Sequence, residues 1–158
     1  MSDQTTFELT INDKSRTADA ASDATLLTVL RDALNISSPK RGCNQGVCGS
    51  CTVLIDGRPQ RSCLTLAAMC EHKSVHTVDG FMDDEIMSSL QNHFRDCGAV
   101  QCGFCTSGML ISAQNLLQNN SNPSIDEIQT ALSGNICRCT GYRKIIDGVL
   151  LAATELRS

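Results

Sequence analysis

The chain is poor in aromatic side chains and in positive charge. Its 158 residues include no tryptophan, one tyrosine and four phenylalanines. Lysine and arginine total 13 against 17 aspartates and glutamates, which gives a net charge of −4, and the cationic residues are dispersed. Without a basic patch, we expect no binding to nucleic acid or to an anionic lipid surface. The length is enough for one ordinary domain or two small ones.

Long hydrophobic runs are also missing. No apolar stretch approaches the roughly 18 residues that a membrane span needs. The first six residues lack the basic start and apolar stretch of a secretory signal. We therefore expect a cytoplasmic protein without a membrane span. No Ser–His–Asp arrangement, phosphate-binding glycine motif or pair of catalytic carboxylates stands out, so no catalytic residue is predicted in this chain.

Cysteine is abundant, with ten residues. In a secreted chain this number would indicate a disulfide scaffold. In a reducing compartment disulfides do not persist, and clustered cysteines more often bind metal or take part in redox chemistry. We therefore favour metal binding. The cysteines stand at positions 43, 48, 51, 63, 70, 97, 102, 105, 137 and 139.

The first half of the chain has the pattern of a small β-rich unit. Alternating residues 7–11 predict a strand, and the turn residues 12–14 lead into a second strand at 15–17. A helix is predicted over residues 26–34, capped by Asp23 or Thr25. Residues 52–55 predict a strand that ends in an Asp56-Gly57 hairpin turn, and residues 75–78 a last short strand. Two hairpins and one helix indicate a compact β-grasp-like unit that ends near Gly80.

The second half is predicted to be helical. Apolar residues at helical spacing predict helices over 86–94, 107–117 and 143–155. A further helix begins at Pro123-Ser124, where Ser124 and Glu127 have the spacing of a capping box. Four short helices indicate a small bundle. Aspartate and glycine gather at residues 79–84, and we place the boundary between the two domains there.

Four cysteines in the first half have a specific spacing. Cys43, Cys48 and Cys51 form C-x4-C-x2-C, and Cys63 follows after the hairpin, which is the spacing of a plant-type 2Fe–2S centre. Glycines at 42, 46 and 49 suit a loop that turns sharply and directs amides at sulfur. Zinc also takes four thiolates, but this spacing in a glycine-rich loop is uncommon for zinc.

Four further cysteines in the second half form a less specific set. They are Cys102, Cys105, Cys137 and Cys139. The first two precede one predicted helix and the last two precede another. Amides at a helix start lack intrahelical partners and favour negative charge, so we expect two helix starts to converge on one anionic cluster. Zinc remains an alternative here, because tetrahedral sulfur ligation suits either metal.

The remaining two cysteines receive no role. Cys70 and Cys97 lie on apolar segments, where a free thiol behaves as a small hydrophobic group. Cys70 and His72 give half of a Rieske-like pair, but no second Cys-x2-His pair completes it.

Four motifs resemble the small iron–sulfur subunit of the molybdenum hydroxylases, the family of xanthine dehydrogenase, aldehyde oxidoreductase and carbon monoxide dehydrogenase. They are GCNQGVCGSCTV at 42–53, SCL at 62–64, QCGFC at 101–105 and GNICRCTGY at 134–142. The resemblance extends from Phe7 to about Leu156. Many relatives have proline where Ser107 stands. Serine there should keep the helix and lose a little rigidity.

The resemblance implies a role and partners. It implies two 2Fe–2S clusters in this chain, a large molybdopterin-binding subunit and a medium FAD-binding subunit. Electrons would pass from the molybdopterin through the two clusters toward the flavin or another acceptor, so this chain would be a non-catalytic oxidoreductase subunit. By position, Gln101 and Cys139 match the family residues that approach the pterin. The large subunit chooses the substrate, for which we favour N-heteroaromatics over an aldehyde or carbon monoxide.

The expected fold is α+β, with a β-grasp, plant-ferredoxin-like domain at 1–80 and a four-helix bundle domain at 81–158. Two other functions stay open at this point. A free-standing two-cluster ferredoxin, which carries electrons by diffusion, would show the same cysteine spacing. A zinc-stabilised binding module would use the same cysteines to bind zinc and would not transfer electrons.

Overall fold

The computed structural model describes residues 3–158. In this part of the chain a five-stranded sheet comes first and a group of longer helices follows. The strands are β1 (Gln4–Ile11), β2 (Lys14–Ala21), β3 (Thr52–Ile55), β4 (Arg58–Arg61) and β5 (Ser74–His76). The helices are α1 (Leu26–Thr28), α2 (Glu85–Asp96), α3 (Thr106–Asn119), α4 (Ile125–Leu132) and α5 (Arg143–Glu155). This confirms a mixed α and β fold.

The sheet has the order β2-β1-β5-β3-β4, in which β1 and β5 are parallel and the other neighbours antiparallel. Both predicted hairpins are present. Asn12 and Asp13 take left-handed φ angles of 52° and 61°, and Asp56 and Gly57 angles of 49° and 74°. Turns of this hand match the twist of the strands that they join, which explains why short polar residues or glycine occupy them.

The helix predicted over residues 26–34 is α-helical for only three residues and then continues as a wider, π-helical turn. The Thr25 hydroxyl accepts from the Thr28 amide at 3.2 Å, so Thr25 and not Asp23 is the cap. After α1 the chain continues as a π-helical turn, Val29–Ala33, in which the Leu34 amide donates to the Val29 carbonyl. Leu26 and Leu27 of α1, and Val29 and Leu30 of the π-helical turn, are all buried.

The last strand also ends earlier than predicted. β5 stops at His76, and Val78 begins a 3₁₀ turn, Val78–Phe81. The cause is a side chain from the first hairpin. The Asn12 carboxamide oxygen accepts from the Thr77 amide at 2.9 Å, so this amide cannot extend the sheet. In the helical half, the predicted helices and the Ser124–Glu127 capping box are confirmed.

Two aliphatic cores meet at β3. Val53 and Ile55 face the core formed by the sheet and α1, whereas Leu54 faces the core of the helical half. α3 packs directly against β3. Strand β3 is therefore buried on both faces and joins the two halves. Among residues 3–158, no helix combines the length and apolar character required to cross a bilayer.

Candidate iron–sulfur centres

The first cysteine set lies on the loop before β3 and on the segment after β4. The loop turns at Asn44, Gly46 and Gly49, whose φ angles are 54°, 74° and 73°. A Cβ atom on Gly46 would overlap the Leu64 side chain, and one on Gly49 would overlap the Gly134 carbonyl. Glycine is thus required at both positions for conformation and for space.

The amides of this loop point at sulfur. The Cys43 Sγ accepts from the amides of Cys48 and Gln45, each at 3.4 Å. The bond from the Cys48 amide, followed in size by that from Gln45, lowers the pKa of Cys43 to about 6. Burial, followed by the neighbouring Cys51, raises the pKa of Cys63 to about 11. A buried thiolate beside other thiolates needs a compensating cation, which a metal centre supplies.

The second set surrounds the start of α3 and the loop before α5. Cys105 is the N-cap residue of α3. The Sγ atoms of Cys139 and Cys102 are 3.5 Å apart. Burial and the adjacent Cys137 raise the pKa of Cys105 to about 12. The amide of Phe104 and the side chain of Cys139 lower the pKa of Cys102. The four side chains therefore form one interacting group.

The expected convergence of two helix starts is present for α3 only. Burial opposes ionisation of Cys137, but bonds from the hydroxyl and amide of Thr140 and the amide of Cys139 outweigh it and lower the pKa. These donors belong to the loop and not to α5. The Gly141-Tyr142 turn, with left-handed φ angles of 63° and 66°, separates this loop from α5.

Within each set the sulfurs fall into two pairs, which are Cys43 with Cys48, Cys51 with Cys63, Cys102 with Cys139, and Cys105 with Cys137. A zinc site needs four ligands around one point. Two pairs suit a binuclear cluster, in which two cysteines bind each iron. The donors present therefore fit 2Fe–2S centres.

The two sets differ in exposure. In the second set Cys102 and Cys139 are exposed, as is the neighbouring Gln101. The Gln101 Nε2 donates to the Cys139 carbonyl at 3.2 Å. In the first set Cys51 and Cys63 are buried, and Cys43 and Cys48 are half-buried. The second set therefore opens to the surface beside Gln101.

Cys70 and Cys97 lie outside both sets. Cys70 is buried, and burial raises its pKa. Cys97 is half-buried at the C-terminal end of α2. Ser107 lies in the first turn of α3, so serine keeps the helix there as expected. Its hydroxyl also donates to the Ser38 carbonyl at 2.7 Å, a contact between the two halves that the sequence did not suggest.

A junction between the two cysteine loops was also missed by sequence reasoning. The Ile136 amide donates to the Cys48 carbonyl at 2.9 Å. The buried Asn135 side chain donates to the Gly49 carbonyl at 3.0 Å and accepts from Ser112 at 2.9 Å. Asn135 and Ile136 do lie inside a family motif, but no local pattern indicates that they contact residues 48 and 49.

Comparison with known proteins identifies both halves. The model of the 2Fe-2S iron-sulfur cluster binding domain matches residues 9–75, and that of the [2Fe-2S] binding domain matches residues 77–150. The nicotine 6-hydroxylase small subunit of Paenarthrobacter nicotinovorans is 44% identical, over 98% of this chain and 93% of that protein.

Solved structures agree. A chain of quinoline 2-oxidoreductase from Pseudomonas putida 86 is 46% identical, with a TM-score of 0.90 over 98% of this chain and 96% of that one. The aldehyde oxidoreductase from Desulfovibrio desulfuricans ATCC 27774 is 38% identical, with a TM-score of 0.89 over 96% of this chain but only 17% of that longer chain. The chain belongs to the family of small iron–sulfur subunits of the molybdenum hydroxylases, and it is the two-cluster, non-catalytic subunit of an oxidoreductase.

Proposed function

We propose that this chain conducts electrons from a molybdopterin site in a large partner subunit, through its two 2Fe–2S clusters, toward an FAD-binding subunit or another acceptor. The observation that carries the proposal is that one chain holds two cysteine sets, of which the second reaches the surface through Cys102 and Cys139 while its Cys105 and Cys137 are buried. When bound, each cluster accepts and releases one electron. The exposed cysteines of the second set, Cys102 and Cys139, suit electron entry from a partner subunit.

The proposed ligands are the eight cysteines of the two sets. The support is their pairing, the amides directed at Cys43, and the Thr140 hydroxyl directed at Cys137 at 3.1 Å. We assign Cys43, Cys48, Cys51 and Cys63 to one cluster and Cys102, Cys105, Cys137 and Cys139 to the other. Gln101 and Cys139 are the residues that we place against the pterin.

We further propose the domain division 1–80 and 81–158, a β-grasp domain followed by a four-helix bundle. Contacts that run from α2 to α3, α4, α5 and back to α2 support the bundle. The mixed sheet, with one parallel pair of strands, supports the β-grasp domain. No disulfide joins any of the ten cysteines, all of which lie in the described part of the chain, and this suits a reducing compartment such as the cytoplasm.

For the substrate of the complex we propose an N-heteroaromatic compound. Two of the similar proteins carry nicotine and quinoline in their names, and both compounds contain an aromatic ring with nitrogen. The large subunit would make the choice between this class and an aldehyde or carbon monoxide.

The sequence left open a diffusible two-cluster ferredoxin, which the similarity to small subunits of hydroxylases already disfavours. Against it stand three exposed apolar side chains that are close in sequence to proposed ligands, namely Val100, Phe104 and Ile136, which are 42%, 46% and 47% exposed. Such side chains beside a redox centre are typical of an interface core. These exposed apolar side chains therefore favour a permanent partner, and with it the subunit function, over a diffusible carrier.

The test is the behaviour of the chain with its large subunit. Tagged chain should retain a molybdenum-containing partner through purification, and substrate should reduce both clusters in a rapid-mixing experiment. Recovery of the chain alone, fully loaded with iron and free of molybdenum, would support the diffusible carrier instead.

Gln101 gives a sharper test. Gln101→Ala removes the bond to the Cys139 carbonyl, worth about 1 kcal/mol, and exposes one face of the proposed pterin contact. We expect both clusters to be retained but their reduction by substrate to slow several-fold, or the large subunit to bind less tightly. Gln118→Ala, at an exposed position of α3, is the matched control. Unchanged assembly and unchanged reduction would remove Gln101 from electron entry.

A further inference from the structure

Arg61 lies between the two cysteine loops. It is the last residue of β4 and stands two residues before Cys63. Its Nη1 donates to the Thr52 hydroxyl at 2.8 Å, and Thr52 directly follows Cys51. Its Nη2 donates to the carbonyl of Gly134, three residues before Cys137. The guanidinium thus contacts backbone or side chains adjacent to proposed ligands of both clusters.

The guanidinium is enclosed at this position. A Cβ atom on Gly134 would overlap Nη2, so glycine leaves the space that the guanidinium occupies. The Asn135 side chain, buried beside it, also donates to the Thr52 hydroxyl, at 3.3 Å. Arg61 therefore shares its acceptor with the junction described above and is fixed in place.

The described part of the chain offers no acidic partner for this charge. Arg61 Nε is buried and has no hydrogen-bond partner among the described residues. Among residues 3–158, no carboxylate lies within salt-bridge distance of its guanidinium. A partly buried cation without a counter-charge is costly, and natural proteins retain one where an anion is present. Clusters ligated by four thiolates carry net negative charge, and reduction adds to it.

We propose that Arg61 is the internal counter-cation of the two iron–sulfur clusters and a positioning residue for their loops. Its positive charge favours the reduced, more negative state of each cluster and so raises the reduction potentials. Its two Nη bonds hold the loop of one domain against the other. This inference rests on the proposed function, because it requires both clusters to be bound at the cysteines assigned above.

The test compares Arg61→Lys with Arg61→Met in the iron-loaded complex. Both variants lose the two-pronged guanidinium, but only lysine keeps the charge. The readout is the reduction potential of each cluster, from a redox titration followed by electron paramagnetic resonance. We expect Arg61→Met to lower the equilibrium constant for reduction of each cluster about tenfold, which is about 59 mV for a one-electron couple. Arg61→Lys should stay within threefold of the parent protein.

Arg58→Met is the matched control. Arg58 begins the same strand but is exposed, so solvent and salt should screen its charge and leave both potentials unchanged. If Arg61→Lys and Arg61→Met shifted the reduction potentials equally, the shape of the guanidinium would matter and not its charge. That result would overturn the proposal that Arg61 is a counter-cation. Unchanged potentials in both would overturn it as well.

Loss of iron is also informative. If Arg61→Met and Arg61→Gln lose iron whereas Arg61→Lys keeps it, the charge is needed to retain the clusters, as a counter-cation requires. If Arg61→Lys loses iron too, the inference fails. Absence of both cluster signals from the parent complex would instead contradict the proposed function itself.

Discussion

At the scale of single residues, the hydroxyl of Thr140 is the clearest device for tuning a cluster. It donates to the Cys137 Sγ at 3.1 Å and is itself oriented by the Tyr142 amide, which donates to it at 3.2 Å. A hydrogen bond to a coordinating sulfur withdraws electron density and makes the cluster easier to reduce. Under the proposed ligand assignment, Thr140 would therefore act on the cluster of the second cysteine set and not on that of the first.

Thr140→Val should test this directly, because valine keeps the shape and removes the donor. We expect the potential of the cluster in the helical half to fall by about 40 mV, the equivalent of about 1 kcal/mol for one electron. The other cluster should not change. Thr130→Val, at an exposed position of α4, is the control. An equal shift of both clusters would contradict a local effect.

At the scale of elements, the first turn of α3 packs against the first cysteine loop. A Cβ atom on Gly108 would overlap the Gly49 carbonyl and approach the Asn135 Nδ2 to 2.8 Å. Helix propensity alone predicts that replacing a glycine within a helix by alanine raises the free energy of unfolding by about 1 kcal/mol. The close approach of α3 to the loop predicts a decrease instead, because the added methyl group would force the helix and the loop apart.

Gly108→Ala should therefore lower the free energy of unfolding by roughly 1–3 kcal/mol, the usual cost of overpacking. Chemical denaturation of the iron-loaded protein measures it. Ser88→Ala, on the exposed face of α2, should be neutral or slightly stabilising. A stabilised Gly108→Ala protein would show that α3 and the loop are not in close contact.

These elements also show which features could be predicted from the sequence. The hairpins at Asn12-Asp13 and Asp56-Gly57, and the capping box of α4, depend on neighbouring residues, and all three are confirmed. The end of β5 could not be predicted, because it depends on a bond between Asn12 and Thr77, which are 65 positions apart.

The cysteine sets show the same division between local and distant signals. Their spacing and the glycines of the first loop indicated which cysteines would come together. The junction did not follow from any spacing, since Arg61 meets Gly134 across 73 positions and Asn135 meets Gly49 across 86. Such contacts depend on how α3 packs on β3, which is a property of the tertiary fold.

At the scale of the whole molecule, the two cysteine sets should bind their clusters independently. Cys48→Ser removes one sulfur of the first set but keeps the Cys48 backbone carbonyl that the Ile136 amide contacts. We expect the paramagnetic signal of the first cluster to disappear and that of the second to remain. Substrate should still reduce the second cluster, while transfer to the final acceptor stops.

Cys97→Ser provides the control for Cys48→Ser, because Cys97 lies outside both sets and is half-buried. Both signals should persist in that variant. If Cys48→Ser abolished the two signals together, the junction would join the sets so closely that neither loads without the other.

The most direct test of the whole account is the metal content of the purified chain together with its spectrum on reduction. Two 2Fe–2S clusters predict about four irons and four acid-labile sulfides per chain, and two distinct paramagnetic signals after reduction. The signals should differ because one cluster lies on a glycine-rich loop and the other beside the start of α3. About one or two zinc ions per chain, with neither iron nor sulfide, would contradict the account.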